Sequence, residues 1–136
     1  MSDFSGLYQI RDGNTNDLNF ILSTFLRGLY YGDSWFSSIP KDIFMANYKV
    51  MAATILAKSI VKVAYLPEDP NIILGYSILS ADYQTAHFVY VKKMWRNKGI
   101  AKSLVPKHPM YVSHLTELGR TLMAKLPGAV FNPFAI

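Results

Sequence analysis

The 136-residue chain contains no cysteine, so it has no disulfide framework, no thiol nucleophile and no cysteine-rich zinc site. It also lacks the run of ~18 apolar residues that a membrane-spanning helix needs, and we expect no membrane association. The first residues, Met1 to Gly6, lack the basic and apolar regions of a secretory signal, which predicts a cytoplasmic protein. Charged residues make up only 17% and apolar residues 51%, which excludes a disordered basic tail. The length predicts one domain over residues 1–136.

Acidic residues are absent from one long stretch of the chain. The sequence has 14 Lys and Arg against 9 Asp and Glu, a net charge of +5, yet no acid occurs from Tyr83 to Thr116. Six of the basic residues lie within that stretch: Lys92, Lys93, Arg96, Lys98, Lys102 and Lys107. The net charge alone predicts an anionic partner of no particular kind, whereas this clustering indicates where the partner binds.

The first half of the chain predicts one strand and two helices. Leu7 to Arg11 alternates as a short strand does. Apolar residues recur at helical spacing from Leu18 to Leu29, and Gly32 is expected to end that helix. Ser37-Ser38-Ile39-Pro40 is typical of a helix start, and the same spacing recurs from Phe44 to Leu56.

Three strands are predicted to follow as an antiparallel meander. They cover Ile60 to Leu66, Ile72 to Ser80 and Ala86 to Val91, and their turns are Pro67 to Asn71 and Asp82 to Gln84. The third strand is almost continuously apolar, which indicates burial on both faces.

The last third predicts a short helix from Gly99 to Val105, a strand from Met110 to Leu115, a helix from Glu117 to Leu126 and a final strand or tail from Val130 to Ile136. This order of elements predicts an α/β fold with a mixed central sheet flanked by helices.

One segment carries most of the chemical information. From Val89 onward, a buried strand leads through a basic loop into a helix that opens with Arg96-x-x-Gly99-x-Ala101. Unpaired backbone N–H groups and the helix dipole favour an anion at a helix start, and small residues allow a phosphate to approach the backbone. On spacing alone, the pattern also fits a glycine used for tight helix–strand packing among solvated lysines, so both interpretations stay open at this level.

The segment resembles motif A of the GCN5-related N-acetyltransferase (GNAT) family. It has the strand-ending triplet Val89-Tyr90-Val91, then Lys92 to Trp95, then Arg96-Asn97-Lys98-Gly99-Ile100-Ala101. The order of the predicted elements is similar to that of the family, most closely over residues 60–105. Asn132-Pro133-Phe134 resembles the end of small acetyltransferase-like proteins of bacteriophages, and for a viral protein the expected location is the host cytoplasm.

The resemblance implies a GNAT fold and transfer of an acetyl group from acetyl-coenzyme A (acetyl-CoA) to an amine, by direct attack on the thioester. The amine, a small molecule or a protein, is not identified, no metal is implied, and the oligomeric state stays open, a dimer included. The pantetheine arm would pair with the main chain of Val89, Tyr90 and Val91. Backbone groups of the following loop would cradle the pyrophosphate, and they belong to Arg96, Asn97, Lys98, Gly99, Ile100, Ala101 and Lys102.

Two catalytic positions depart from the family pattern. Many members have a glutamate base where this chain has His87, and histidine can serve because its ordinary pKa of about 6.5 suits proton transfer. The alternative is a histidine that only fills a strand position. The tyrosine acid of the family aligns with Met123, which cannot donate a proton. Tyr111, Ser113 or a water is the candidate replacement. The alternative, which the sequence favours, is that both side chains are structural.

Two further departures concern the segment after motif A. The helix that follows Gly99 is shorter than the three turns usual in the family. His108 and His114 lie six residues apart in a proline-containing stretch, which is no recognised metal-ligand spacing. Both are predicted to lie in loops or at the surface.

Two other functions compete with acetyl transfer. The missing glutamate and tyrosine fit a GNAT-like protein that binds coenzyme A or a protein partner without catalysis. The basic segment 92–107, with Trp95 and Tyr111 available for stacking on bases, fits a nucleic-acid-binding module. The position of the basic residues on a phosphate-cradle motif argues against nucleic acid.

Overall fold

The computed structural model describes residues 7–105, 111–114, 116, 120, 123–124 and 128–136. The strands in these ranges are β1 (Gln9–Asp12), β2 (Ser59–Leu66), β3 (Asp69–Ser80), β4 (Thr85–Val91), β5 (Tyr111–Val112) and β6 (Val130–Phe131). The helices are α1 (Leu18–Gly32), α2 (Ser34–Ser37), α3 (Lys41–Ala57) and α4 (Ile100–Leu104).

The strands form one mixed sheet in the order β1-β2-β3-β4-β5-β6. Neighbouring strands from β1 to β4 are antiparallel, whereas β5 is parallel to β4 and β6 is parallel to β5. The predicted mixed sheet with its antiparallel meander is therefore confirmed. The turn between β2 and β3 is tighter than predicted, because Leu66 already pairs with Asp69 and only Pro67 and Glu68 lie between them.

A buried apolar cluster lies on each face of the sheet. On one face, α1 and α3 pack against Tyr76 and Phe88. On the other face, α4 places Ile100 against Val89 and Val91. Phe88 and Val89 are 7% and 6% exposed, which confirms that β4 is buried on both faces.

An ion pair joins β1 to the start of α1. Both terminal guanidinium nitrogens of Arg11 donate to the carboxylate of Asp17, at 2.8 and 2.9 Å, and the backbone amide of Asn14 donates to the same group. The hydrogen bonds from Arg11, and to a smaller extent that from Asn14, hold the pKa of Asp17 below its ordinary value. A nearly buried carboxylate is satisfied in this way at the entrance to the helix.

The two predicted helices of the first half are confirmed as α1 and α3. α1 ends at Gly32 as expected, and α3 begins directly after Pro40. The single turn α2 was not predicted. It begins because the side chain of Asp33 accepts a hydrogen bond from the amide of Trp35, at 2.8 Å.

The second half agrees with the predictions where it is described. α4 is only five residues long, which confirms the predicted short helix. β5 confirms part of the strand predicted from Met110 to Leu115, whose two end residues lie outside the described residues. Most of the helix predicted from Glu117 to Leu126 also lies outside them, although Arg120 and Met123 are helical.

Within the described part of the chain, no helix combines the length and the apolar character that crossing a membrane requires.

Candidate functional site

Among the described residues, the parallel strands β4 and β5 pair at the first two residues of β4. The pairs are Thr85–Tyr111 and Ala86–Val112, and the amide of Ser113 adds one hydrogen bond to the carbonyl of Ala86, at 3.2 Å. In the described part of the chain, β5 does not pair with the remainder of β4. That remainder therefore presents an open edge toward β5.

A β-bulge lies where the two strands separate. Ala86 pairs with Leu79 and Phe88 with Ile78, so that His87 is an extra residue without a partner in β3. A bulge bends its strand and increases the local twist. The bulge at His87 lies directly after Ala86, the last residue of β4 that pairs with β5 in the described structure.

The peptide groups of Val89 and Val91 face the open edge. The amide of Lys92 donates to the carbonyl of Leu74 in β3, at 2.8 Å, so Lys92 faces β3. Because peptide orientation alternates along a strand, the groups of Val89 and Val91 point the other way. The carbonyl of Val91 accepts a hydrogen bond from Nε of Arg96, at 3.0 Å.

A cleft of about 650 Å³ lies along this edge, between α1 and β4. Its volume is within the range of small-molecule sites, which is roughly 300–1,000 Å³. Arg27 and Arg96 are the charged residues among the described ones that line it, and both are positive. The complete described lining is Thr24, Arg27, Gly28, Tyr31, Gly32, Phe88, Val89, Tyr90, Arg96 and Thr116. The charge of the cleft favours an anionic ligand.

Gly28 allows α1 to approach β4 closely at the cleft. A Cβ at this position would lie 2.5 Å from Cζ of Phe88, well inside van der Waals contact. The ring of Phe88 also contacts Phe25 on the same helix, with centroids 4.9 Å apart. The glycine is therefore required by packing against the strand, although it weakens the helix by about 1 kcal/mol relative to alanine.

The loop between β4 and α4 has two residues with positive φ. These are Asn97 at 63° and Gly99 at 84°, and asparagine and glycine tolerate this region better than other residues. A Cβ at Gly99 would meet nothing within 4 Å, so the glycine faces open space. The backbone here is accessible to a ligand, as the motif requires.

The structure brings part of the predicted cofactor set to the cleft. Val89, Tyr90 and Arg96 line it directly. The side chain of Ile100 is 1% exposed and belongs to the core, so a role in binding is left to its main chain. Lys102 is exposed on α4.

His87 is the first member of a buried chain of hydrogen bonds. Its Nδ1 lies 2.7 Å from Oγ of Ser113, which in turn lies 2.8 Å from Nδ1 of His114. Nε2 of His114 lies 2.5 Å from the hydroxyl of Tyr48 on α3. The chain therefore ties the bulge of β4 to the segment after β5 and to a helix on the same face of the sheet.

Burial sets the protonation states of the residues in this chain of hydrogen bonds. It lowers the pKa of both His87 and His114 to about 4, with the charge of Lys58 acting in the same direction on His87. Burial raises the pKa of Tyr48 to about 12. Both imidazoles are thus neutral near pH 7, each donating from one nitrogen and accepting at the other. The hydrogen bonds can run in either direction along the chain.

The structure bears on two predictions about histidines. His114 was predicted in a loop or at the surface: it does lie outside the strands and helices, after β5, but a surface position is wrong. The side chain is 8% exposed, because its ring packs edge-on against Phe25 and Tyr48. For His87, the near-neutral pKa expected from its ordinary value does not hold, because the side chain is 5% exposed. His108 lies outside the described residues.

Tyr111 does not line the cleft in the described structure. It is half-buried at the start of β5, and its amide donates to the carbonyl of Gln84, at 2.9 Å. Its role as the acid stays a prediction.

Several residues of the site were not identified from the sequence. Tyr48 lies 66 positions from His114, and no local pattern connects the two. Arg27 and Tyr31 are one helical turn apart on α1, which places both on one side of that helix, but only the packing of α1 on β4 brings them to the cleft.

Among the described residues, no group of three or more histidine, aspartate or glutamate side chains lies close enough to hold a metal ion.

No protein-family model and no curated protein sequence matches the chain. Solved structures do match. A proposed acetyl transferase from Pyrococcus furiosus is 18% identical, with a TM-score of 0.59 over 92% of this chain and 81% of that one. A GCN5-related N-acetyltransferase from Rhodopseudomonas palustris is 16% identical, with a TM-score of 0.51 over 76% and 62%. A histone acetyltransferase-related acetyltransferase from Corynebacterium glutamicum is 14% identical, with a TM-score of 0.51 over 72% and 67%.

These similarities establish the fold. More specifically, the chain has the GNAT fold, as the resemblance of motif A predicted. It spans between 62% and 81% of the length of the three structures.

Proposed function

We propose that this chain, as one domain, is an N-acetyltransferase that transfers an acetyl group from acetyl-CoA to an amine. The observation that carries the proposal is the positively charged cleft along the open edge of β4, in a chain with the GNAT fold. A strand edge suits the amide-containing pantetheine arm, and the two arginines suit the phosphates.

In this proposal the main chain of β4 binds the pantetheine arm. The N–H and C=O groups of Val89 face the open edge, so an extended ligand with amide groups can add there as a further strand does. Of the triplet Val89 to Val91, Val89 thus contributes through its backbone, whereas the peptide groups of Tyr90 face β3 and the carbonyl of Val91 is bonded to Arg96. Arg96 and the loop 96–102 hold the pyrophosphate, and Gly99 leaves its backbone free for close approach.

The proposed reaction is a direct transfer. Acetyl-CoA supplies the acetyl group as a thioester. The amine nitrogen attacks the carbonyl carbon, a C–N bond forms and the C–S bond breaks. The nitrogen loses one proton and the sulfur gains one, so no further reactant is required.

His87 is the proposed proton acceptor. Its Nδ1 is engaged with Ser113, which leaves Nε2 as the nitrogen that would receive the proton. A shift of protons along Ser113 and His114 would then release one at the hydroxyl of Tyr48, because the chain can be bonded in either direction. Tyr111 stays the predicted acid for the leaving sulfur.

The low pKa of His87 makes it a weak base, and this determines how we expect the transfer rate to depend on pH. An imidazole with a pKa of about 4 does not titrate near neutrality. We therefore expect the transfer rate to rise with pH as the free amine becomes available, without an inflection near the ordinary histidine pKa of about 6.5.

Release of free thiol from acetyl-CoA tests this function. The protein is incubated with acetyl-CoA and separate panels of small primary amines, lysine-containing peptides and extracts of cellular protein. Thiol release that depends on one class of amine, together with acetylated product, is the expected result. Binding of coenzyme A with no thiol release from any panel would instead favour the non-catalytic alternative, and absence of both would overturn the site assignment.

A further inference from the structure

α1 forms one wall of the cleft, and two of its side chains there carry hydrogen-bond donors that no described residue uses. Arg27 and Tyr31 both line the cleft and are four residues apart, which is about one helical turn. The guanidinium of Arg27 makes no hydrogen bond and no ion pair with a described residue. Arg11 differs in this respect, because its guanidinium is paired with the carboxylate of Asp17. Arg27 therefore keeps its donors for a group that enters the cleft.

Lys41, the first residue of α3, determines how the hydroxyl of Tyr31 can bond. Nζ of Lys41 donates to the oxygen of Tyr31, at 2.9 Å, and also lies 5.3 Å from the centroid of its ring. The phenol has one proton to donate, and no described residue accepts it. Because a cation already donates to the oxygen, the O–H is polarised and becomes a stronger donor. Tyr31 thus offers a second donor to a group in the cleft.

The charge around these two donors is positive. Lys41 adds its charge to that of Arg27, and the described lining of the cleft contains no acid. Two acids lie close in sequence, Asp33 and Asp42, but neither belongs to that lining. The carboxylate of Asp33 accepts a hydrogen bond from the amide of Trp35, at 2.8 Å. This wall of the cleft therefore favours an anionic group.

Both arginines of the cleft suit an anionic group, but they lie at different places along β4. Nε of Arg96 donates to the carbonyl of Val91, at the end of the strand. Arg27 precedes Gly28, which lies against the ring of Phe88, and Phe88 directly follows the proposed proton acceptor. Phe88 and Val91 are three residues apart, which is about 10 Å along a strand. Arg96 is thus beside the phosphate-binding loop, whereas Arg27 is level with the place where the acetyl group would be transferred.

We propose that Arg27 and Tyr31 bind a carboxylate of the acceptor, so that the acetylated amine belongs to an amino acid or a similar compound with both an amine and a carboxylate. This inference rests on the proposed function. The guanidinium would donate two parallel hydrogen bonds to the carboxylate oxygens, and the hydroxyl of Tyr31 a further one. The carboxylate holds the amine beside His87 and takes no part in the bond changes of the transfer. The phosphates of coenzyme A are then bound by Arg96 and the basic loop.

Thiol release from acetyl-CoA, measured with the common amino acids and with their amides, tests the substrate class. The two members of each pair differ in the carboxylate, so the ratio of their kcat/KM values reports its contribution. For the best substrate, the acid should exceed the amide by about 10–100-fold. Arg27→Gln should lower kcat/KM for the acid by about the same factor and leave the value for the amide almost unchanged. An amide used as well as its acid, or an equal loss for both in the variant, would overturn the proposal.

Three further variants provide the controls. Arg27→Lys keeps the charge but not the fork of donors, so it should recover part of the preference for the acid. Tyr31→Phe removes only the hydroxyl and should lower kcat/KM for the acid by several-fold, without a matching loss for the amide. Lys49→Gln is the matched control, because Lys49 is exposed on α3 and does not line the cleft. It should keep the full preference, and a preference lost there would assign the effect to net charge instead of Arg27.

Calorimetric titration with coenzyme A separates the carboxylate from the phosphates of the cofactor. Arg27 is exposed, so Arg27→Gln should keep the circular dichroism spectrum of the wild type. Its affinity for coenzyme A should agree with that of the wild type within about twofold. A loss of about tenfold or more would assign Arg27 to the phosphates and refute the proposal.

A second titration distinguishes failure of this inference from failure of the proposed function. With coenzyme A bound, N-acetyl amino acids should bind the wild type about tenfold more tightly than their amides, and Arg27→Gln should remove this difference. Equal affinities in the wild type would refute the carboxylate site, even if thiol is released from amines. A preference for the acid without thiol release from any amine would support the carboxylate site and contradict only the proposed catalysis.

Discussion

Nδ1 of His87 lies 2.7 Å from Oγ of Ser113, across the point where β4 and β5 separate. His87 is the bulge residue that bends β4, and Ser113 directly follows β5. The side chain proposed to accept the proton is thus hydrogen-bonded to the residue that follows β5, the strand that separates from β4 beside the cleft. The orientation of the His87 imidazole depends on this contact.

The buried histidines predict a loss of stability in acid. His87 and His114 have a pKa of about 4 in the folded protein and an ordinary value of 6.5, so the unfolded chain binds more protons between these values. The free energy of unfolding should therefore fall as the pH drops from about 6.5 to about 4, by up to about 1.4 kcal/mol per pH unit for each histidine. Urea unfolding at several pH values measures this slope.

A histidine variant provides the control for this dependence of the unfolding free energy on pH. His114→Gln should lower stability near pH 7, because Tyr48 and Ser113 lose a partner, but it should also remove about half of the pH dependence below about pH 6.5. A slope equal to that of the wild type would contradict a buried, neutral His114.

Gly99→Glu should abolish binding of coenzyme A. The new carboxylate would stand where the pyrophosphate is proposed to lie, and a non-glycine residue at φ 84° adds about 1 kcal/mol of backbone strain. Gly128→Glu is a matched control, because Gly128 has φ 82° and a Cβ there also meets nothing within 4 Å. Calorimetric titration should find no binding for the first variant and unchanged affinity for the second. Equal affinities would contradict the placement of the phosphates.

Gly28→Ala should destabilise the fold and weaken binding in the cleft. Alanine ordinarily stabilises a helix by about 1 kcal/mol relative to glycine, but here its Cβ would lie 2.5 Å from the ring of Phe88. Displacing that ring should cost about 1–3 kcal/mol. Ser23→Ala, at an exposed position of α1, should change stability by no more than about 0.5 kcal/mol. Increased stability of Gly28→Ala in urea unfolding would refute the close approach of α1 and β4.

His87→Ala should reduce turnover with little effect on the affinity for coenzyme A. Removal of a general base typically costs about 10²–10⁴ in rate, whereas the proposed binding groups lie in the β4 backbone and the basic loop. Ser113→Ala keeps the imidazole but removes its hydrogen bond, so it should have a smaller effect. Steady-state thiol release and calorimetry separate the two quantities. Unchanged turnover of His87→Ala would show that His87 is only structural.

Elements defined by local periodicity were predictable from the sequence. α1 and α3 follow from apolar spacing, and the meander of β2 to β4 follows from strand composition and turns. α2 was missed because a single turn depends on one capping side chain, Asp33, and carries no periodic signal. The turn after β2 was predicted too long because strand pairing overrides the turn preference of Asp69 and Pro70.

Only part of the candidate site could be predicted. The motif from Val89 to Ala101 is contiguous, so its glycine, its basic residues and its strand could be identified from the sequence. Tyr48 and His114 were not, because their contact joins a helix and a strand end that are distant in the chain. The altered pKa of His87 likewise depends on burial by residues remote in sequence.

Calorimetric titration of the wild-type protein with acetyl-CoA tests the central claim most directly, because the cleft beside β4 is proposed to bind this molecule. The account predicts saturable binding with a stoichiometry of one per chain and a dissociation constant in the micromolar range, roughly 1–100 μM. Absence of binding at millimolar ligand, about 1 mM, would contradict it.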